Sequence, residues 1–575
     1  MLGRQSAQRG LFSADTMYLD FVGRNSFYGF LATYRARLFK DDDFADLYCK
    51  DNGRNSVPPS LLGIALLLQS HDRVSDEEAT ARADFDIRWK VALGIALDEH
   101  PFAKSTLQIF RAQLILNDNV RLVFKKSLDF ARETGYLKHR RMKVVLDTTF
   151  ILGAGAVKDT CNLLADGIVK LVRVLAGLAS REPAAWAADN GLARYFAPSI
   201  KGTAEINWDD ATERQTFLRG IVADADRLLA DARSVLAQYA DGVPEKDAIR
   251  EAADLLAQLL LQDIDRTPAG ATLKEGTSPD RIVSVHDPDM RHGHKSASVR
   301  FEGHKAALAV DPESQLITAA AVLPGNAHDS EQALDLVKQS EENTHATVTE
   351  SIGDGAYGTG PLRQAFADQE RTLIAPVPAA PQRDTFTKDA FVIDLQAMTC
   401  RCPAGQVTAV LVPAGSRTYH SGERVALRAF QFSSAVCAAC PLRSQCVTAH
   451  HGGRRIHLHP QEALMQAARA FQQSDAYAGY RKLRQAVEHR LARLVQLGVR
   501  QSRYVGRIKT LFQLLLAATV ANLTLVATKT GLMRGRKGQQ ASVSSHLLSV
   551  VAVLMTIRGF LIPTDGQTTS FRLRL

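Results

Sequence analysis

The chain has 575 residues and is 46% hydrophobic, enough for several cores and too long for one ordinary domain. A formal net charge of +9 and a pI near 9.1 favour a polyanionic partner. The opening "MLGRQSAQRGLFSAD" lacks the apolar segment of a secretory signal, and no apolar run reaches the roughly 20 residues of a membrane span, so export and a membrane role are set aside in favour of a cytoplasmic, soluble protein.

To about residue 138 the chain reads as helical. "VPPSLLGIALLLQ" begins with prolines, which suit a first helical turn, and continues as an apolar run. Ser75 to Glu78, "SDEE", has the spacing of a capping box and starts a second helix. Two helices joined through "SHDRV" are compatible with a helix-turn-helix, and equally with plain helical packing.

"KVVLDTTFILG" changes the pattern to a β-branched run, read as a buried strand ending at Asp147. From about Leu171 to Asp265 the apolar spacing is helical and broken by "DGVPE", which predicts an inserted helical hairpin. "SVRFEGHKAALAVDPESQLITAAAVLPGN" gives two strands about a turn. A helix over "DSEQALDLVKQ", a strand ending at Asp354 in "VTESIGDGAYG", and a strand at "RTLIAPVP" follow. This order predicts an α/β fold with helices covering a sheet.

Five of the seven cysteines fall between Cys400 and Cys446. In a reducing compartment such clustering points to metal, and Cys402, Cys437, Cys440 and Cys446 form a candidate four-thiolate Zn²⁺ site, with Cys400 as a spare ligand. Free thiols and an iron–sulfur cluster are the alternatives. Cys49 and Cys161 read as ordinary buried residues.

The stretch from Tyr480 to Lys509 reads as a basic helix carrying nine Lys or Arg and one acid, Glu488. Arg481, Lys482, Arg484, Arg493, Arg500, Arg503, Arg507 and Lys509 are its candidate DNA contacts. An acid that repels phosphate makes sense there if a cation lies between them. Two Mg²⁺ ions roughly 4 Å apart activate water and stabilise a leaving oxygen, and carboxylates on converging elements hold them. Blander roles exist for each acid: turn formation for Asp147 and Asp354, and an i,i+4 pair with Arg484 for Glu488. Asp159, Asp287 and Asp289 are competing acids. The "HDPDMRHGHK" stretch reads as a loop touching DNA through Arg291, His294 and Lys295, with His304 and Lys305 on opposite faces of the next strand.

Several segments, in this order, resemble the DDE-type transposases of bacterial insertion sequences: "VSDEEATARADFDIRWKVALG", "VVLDTTFILGAGAVKDT", "PGNAHDSE", "IGDGAYG" and "YRKLRQAVEHRLARL". The nearest group has an N-terminal helical domain, a cysteine cluster and a Tyr–Arg–Glu helix bearing the third acid. The resemblance implies a ribonuclease-H-like catalytic core over 139–377 and 475–530, with a helical insertion at about 170–275. It also implies a DNA-binding helical domain over 1–138, a cysteine-bearing insertion over 378–474, and a basic linker with an apolar tail over 531–575. Asp147, Asp354 and Glu488 would then hold two Mg²⁺ (or Mn²⁺) ions, and Arg484 would contact phosphate. Tyr480 is one position from the family spacing, and Val495 stands where a lysine is common, with Arg493 nearby. The implied activity is binding of terminal inverted repeats, cleavage, and strand transfer into target DNA by a homodimer on double-stranded DNA, at the bacterial nucleoid. A catalytically inactive DNA-binding regulator and a ribonuclease-H-like nuclease are the alternatives.

Overall fold

The β-branched run over Arg141–Leu152 forms strand β1, and both of its faces are covered. That double burial is why the segment reads as nearly continuous apolar sequence. The computed structural model describes residues 1–5, 13–50, 52–117, 119–296, 298–378, 385–418, 424–448 and 451–533. The basic linker past Met533 and the apolar run from Leu547 lie outside the described residues. Among these, the chain is a mixed α/β protein.

β1 is central in a six-stranded sheet with β2 (Arg291–His294), β3 (Arg300–Val310), β4 (Ile317–Pro324), β5 (Thr347–Ile352) and β6 (Thr372–Ile374). β3 runs antiparallel to β1 along its length, from Val145 opposite Val310 to Leu152 opposite Gly303. The other edge of β3 is shared: β2 pairs with its first residues and β4 with the rest. On the other side β5 runs parallel to β1, ending at Val145 opposite Ile352, and β6 is parallel to β5.

Alternation along the strands sorts side chains into two layers. Val144, Leu146, Ala307, Ala309, Leu336 and Phe366 form one. Val145, Ile151, Leu308 and Val310 join a larger cluster that also takes in the N-terminal helices and the C-terminal helices. The N-terminal helices therefore share a core with the sheet. Within them, Pro59–Asp72 and Asp76–Phe85 are separate helices, Arg73 adopts a left-handed conformation between them, and Ser75 accepts from the Glu78 amide, as the capping spacing predicts.

Three readings are corrected. β1 does not end at Asp147, because β3 supports it five residues further. The expected helical hairpin is a bundle of three long helices, Thr160–Leu178, Ala211–Leu236 and Pro244–Asp263, with its own core of Ile168, Leu171, Ile221, Leu228, Leu256 and Leu259. Asp159 caps the first of them by accepting from the Cys161 and Asn162 amides. Third, Tyr480 to Lys509 is not one helix. Helices Asp475–Leu483 and Gln485–Gln496 meet at Arg484, and the second stops before Gly498, whose φ of +88° an L side chain rarely adopts.

After a loop, the apolar helix Arg507–Lys529 follows. It is long and apolar enough to cross a membrane, yet most of it is packed inside the protein. Its buried Asn522 explains the fit. Asn522 Oδ1 accepts from the Ile317 amide at 3.0 Å and its Nδ2 donates to the Ile317 carbonyl at 2.9 Å, pairing the start of β4. Asn522→Leu strands both backbone groups, and is expected to destabilise the fold by about 2–4 kcal/mol in denaturant melts.

Candidate active site

β1 and β5 are parallel and in register at Val145 and Ile352. Two residues further along each strand stand Asp147 and Asp354, on the same face of the sheet by alternation. β5 has ended there, and Asp354 turns out of the strand with its carboxylate accepting from the Ala356 amide at 2.9 Å. Asp147 keeps one oxygen on the Thr148 amide at 2.7 Å. Burial raises the Asp147 carboxyl to about 6, the Thr148 amide opposes that rise, and the neighbouring Asp354 adds to it. Arg484 and Asp329 also act on it, the arginine favouring the charged form and the aspartate opposing it. These acids thus crowd negative charge outside the carboxyl ends of adjacent strands, where parallel sheets commonly bind ligands.

Asp329 comes from "PGNAHDSE", the loop after β4. Lys305 Nζ ties it down, donating to Asp329 Oδ1 at 2.8 Å and to the Ala327 carbonyl at 2.7 Å. Tyr357, three residues after Asp354, is buried, and its hydroxyl has no hydrogen-bond partner among the described residues. Burial, then Asp147, Asp329 and Asp354, hold that hydroxyl well above its ordinary pKa, so it remains a neutral donor. Sequence reasoning missed Asp329, Tyr357 and Lys305 as members of this neighbourhood. Their signal lay in motifs it had already singled out, "PGNAHDSE" and "IGDGAYG".

Arg484 reaches the acids from the junction of the two basic helices and is half-buried, with Nε lacking a partner. Tyr480 anchors the helix before it. Its hydroxyl donates to both Glu350 oxygens at 3.0 Å, while Lys143 lies 4.6 Å from the Tyr480 ring and 2.6 Å from Glu350. Lys143 and Glu350 are register partners on β1 and β5. Ala486 and Val487 bury the next helix against the larger core, which leaves the adjacent Glu488 exposed. Among the described residues no three His, Cys, Asp or Glu side chains are spaced to hold a metal. Asp147 and Asp354 therefore meet, and Glu488 stands one helical turn from Arg484 without closing a ligand set.

Residues 401–527 match the family described as a transposase DDE domain, and residues 18–113 match a transposase domain (DUF772). The chain belongs to the DDE transposases. No curated protein and no solved structure matches it. The DDE match contains Arg484, Glu488 and the cysteines, and the second match covers most of the N-terminal helices. A transposase role follows, with DNA as its partner.

The basic residues of this transposase divide into two groups. Arg481, Lys482 and Lys509 are exposed, and Arg493 is half-buried beside Gln496. Arg500 stacks 3.8 Å from the Phe150 ring centroid and donates to the Phe150 carbonyl at 2.7 Å. Arg503 donates to the Val74 carbonyl, and Arg507 lies against Asp289, whose carboxylate also accepts from the Arg507 amide at 2.9 Å. Three of the candidate DNA contacts therefore hold protein to protein. The "HDPDMRHGHK" stretch is only partly a loop, since Arg291–His294 form β2. Asp287 is fully buried 3.6 Å from His304, while His294 and Lys295 are exposed.

Cys402, Cys437, Cys440 and Cys446 line one small pocket with Phe386, Phe432 and Arg454. The zinc expectation finds no support, since no such group is spaced to hold a metal. Burial pushes the Cys446 thiol up and Cys400 to about 11, which favours neutral thiols packed as small apolar groups in the cluster of Phe391, Phe430 and Ile456. Cys49 is exposed and Cys161 half-buried, so neither is the core residue that was expected.

Because the folded pKa of Asp147 exceeds the unfolded carboxyl value of about 3.9, the fold gains from its protonation below about pH 4 and loses that gain as pH rises through 6. Asp147→Asn is expected to stabilise metal-free protein at pH 8 by about 2 kcal/mol, with the advantage gone at pH 4, as read by denaturant melts at both pH values.

Proposed function

We propose that this chain is an insertion-sequence transposase that binds the terminal inverted repeats of its element, cuts DNA there and joins the freed ends to target DNA. The observation that carries this reading is the in-register pair Asp147 and Asp354 beside Arg484, in a chain matching a transposase DDE domain. The strand order supports a ribonuclease-H-like core: three antiparallel strands, β1, β3 and β4, then parallel β5 and β6 on the far side of β1.

The donor set fits a hard divalent cation. The oxygens of Asp147 and Asp354 are of the type Mg²⁺ or Mn²⁺ takes, and an ion between them would relieve the repulsion that raises Asp147. Glu488, on the helix that Arg484 begins, is the third ligand in this reading. When bound, a pair of such ions lowers the pKa of an attacking water and stabilises the leaving oxygen. The protein's own groups do the positioning. Arg484 directs a charged donor at the acids, where it holds a phosphate against them. Tyr480, Glu350 and Lys143 fix the helix carrying Arg484 to the strands carrying the acids. The exposed Arg481, Lys482 and Lys509 extend the basic surface along DNA, and a dimer brings two element ends together.

The test is a Mg²⁺-dependent nicking and joining assay on DNA carrying the element's ends. Asp147→Ala, Asp354→Ala and Glu488→Ala are each expected to lose cleavage by at least about 10³-fold while end binding persists in gel shifts. Wild-type protein that binds ends but never nicks them would favour a DNA-binding regulator. Nicking without end preference or joining would favour a general nuclease.

A further inference from the structure

Tyr357 is a tyrosine in a place that suits phenylalanine. It belongs to the apolar layer of Val144, Leu146 and Phe366, and it is 1% exposed. Its ring lies so close beneath Gly353 that a Cβ there would meet the Tyr357 Cβ and Cγ at 2.6 Å. The aromatic ring thus fills the space under the strand end from which Asp354 emerges. The hydroxyl adds nothing to that packing. Buried without a partner, it costs the fold an unmade hydrogen bond.

What surrounds the hydroxyl gives the reason for it. The charged groups acting on it are Asp147 first, then Asp329 and Asp354, with Arg484 opposing them. Phenolic oxygen is a donor here, since burial among carboxylates keeps it protonated. Asp147 has one oxygen committed to the Thr148 amide, which leaves the other without a printed protein donor. Asp329 is already held by Lys305, and Asp354 by the Ala356 amide. Asp147 is therefore the acid most in need of a second fixed contact.

We propose that the Tyr357 hydroxyl is a positioning group, which donates a hydrogen bond to the Asp147 carboxylate when a divalent cation occupies the site and so fixes the plane in which that carboxylate presents its free lone pairs. The inference rests on the proposed metal-dependent function and adds to it a residue outside the acid triad. Partners that orient a metal-ligating carboxylate hold down its rotation, and losing one typically costs about 10- to 100-fold in metal affinity.

The experiment is titration of the full chain with Mn²⁺ in the absence of DNA, followed by calorimetry and by loss of the free-ion resonance signal, on wild type, Tyr357→Phe and Asp147→Asn. Tyr357→Phe keeps the ring and is expected to melt at the wild-type temperature or above it. Its Mn²⁺ affinity is expected to fall about 10- to 100-fold. A purely structural tyrosine would move the melt and leave affinity in place. Affinity within about twofold of wild type in Tyr357→Phe, with binding lost in Asp147→Asn, overturns the role of Tyr357 and leaves the metal site standing. Binding that Asp147→Asn does not alter overturns both.

Discussion

Parallel strands carry acids to the same place only when their registers agree, and the pairing of β1 with β5 does this. Val145 opposite Ile352 brings Asp147 and Asp354 alongside one another two residues later, on one face. The strands also differ in length. β5 stops while β3 carries β1 on to Leu152, so an acid near the middle of β1 meets an opening rather than another strand. Charge repulsion and burial in that opening leave the Asp147 proton held to about pH 6. A site built this way stores unfavourable electrostatics that a cation removes, and the surrounding sheet is rigid enough to hold it.

The helices after the cysteine-bearing segment depend on that sheet. Lys143 and Glu350, register partners across β1 and β5, receive Tyr480, and Arg484 then falls over the acids one helical turn later. Farther on, the loop before the apolar helix ties back to the N-terminal helices. Arg503 donates to the Val74 carbonyl, and Arg111, held by Asp76, lies 5.1 Å from the Tyr504 ring centroid. The N-terminal helices, the sheet and the apolar helix share one hydrophobic cluster. Binding of DNA by the N-terminal region would thus be felt through packed side chains at the loop that follows the Glu488 helix.

Much of this arrangement was legible before any coordinates. Alternation located the sheet strands, the Ser75 cap located a helix start, and the Gln and Asn within the apolar run marked a helix that belongs inside a protein. Local rules see neighbours three or four residues apart along a helix, or two apart along a strand, and these features are local. The helical bundle was read too short because Asp159, its cap, looked like a candidate ligand. The basic stretch was read as one helix because its charge is continuous, although Gly498 and Gly506 both take positive φ and break it. Charge said nothing about which arginines face solvent. Arg500, Arg503 and Arg507 are drawn into protein contacts because an aromatic ring, a carbonyl and a carboxylate from distant segments lie beside them.

By itself the amino-acid sequence determined the element types, the identity of the acids, and the motifs in which Asp329 and Tyr357 stand, because these follow from composition and short-range spacing. Only the tertiary structure decided which acids meet. Asp147 and Asp354 are far apart along the chain and are joined by strand register. Glu488 is placed by how Ala486 and Val487 bury their helix. Asp329 is drawn in by Lys305 from a neighbouring strand. Register, helix rotation and loop tethering are set by burial and hydrogen bonding between distant segments, and no local pattern encodes them.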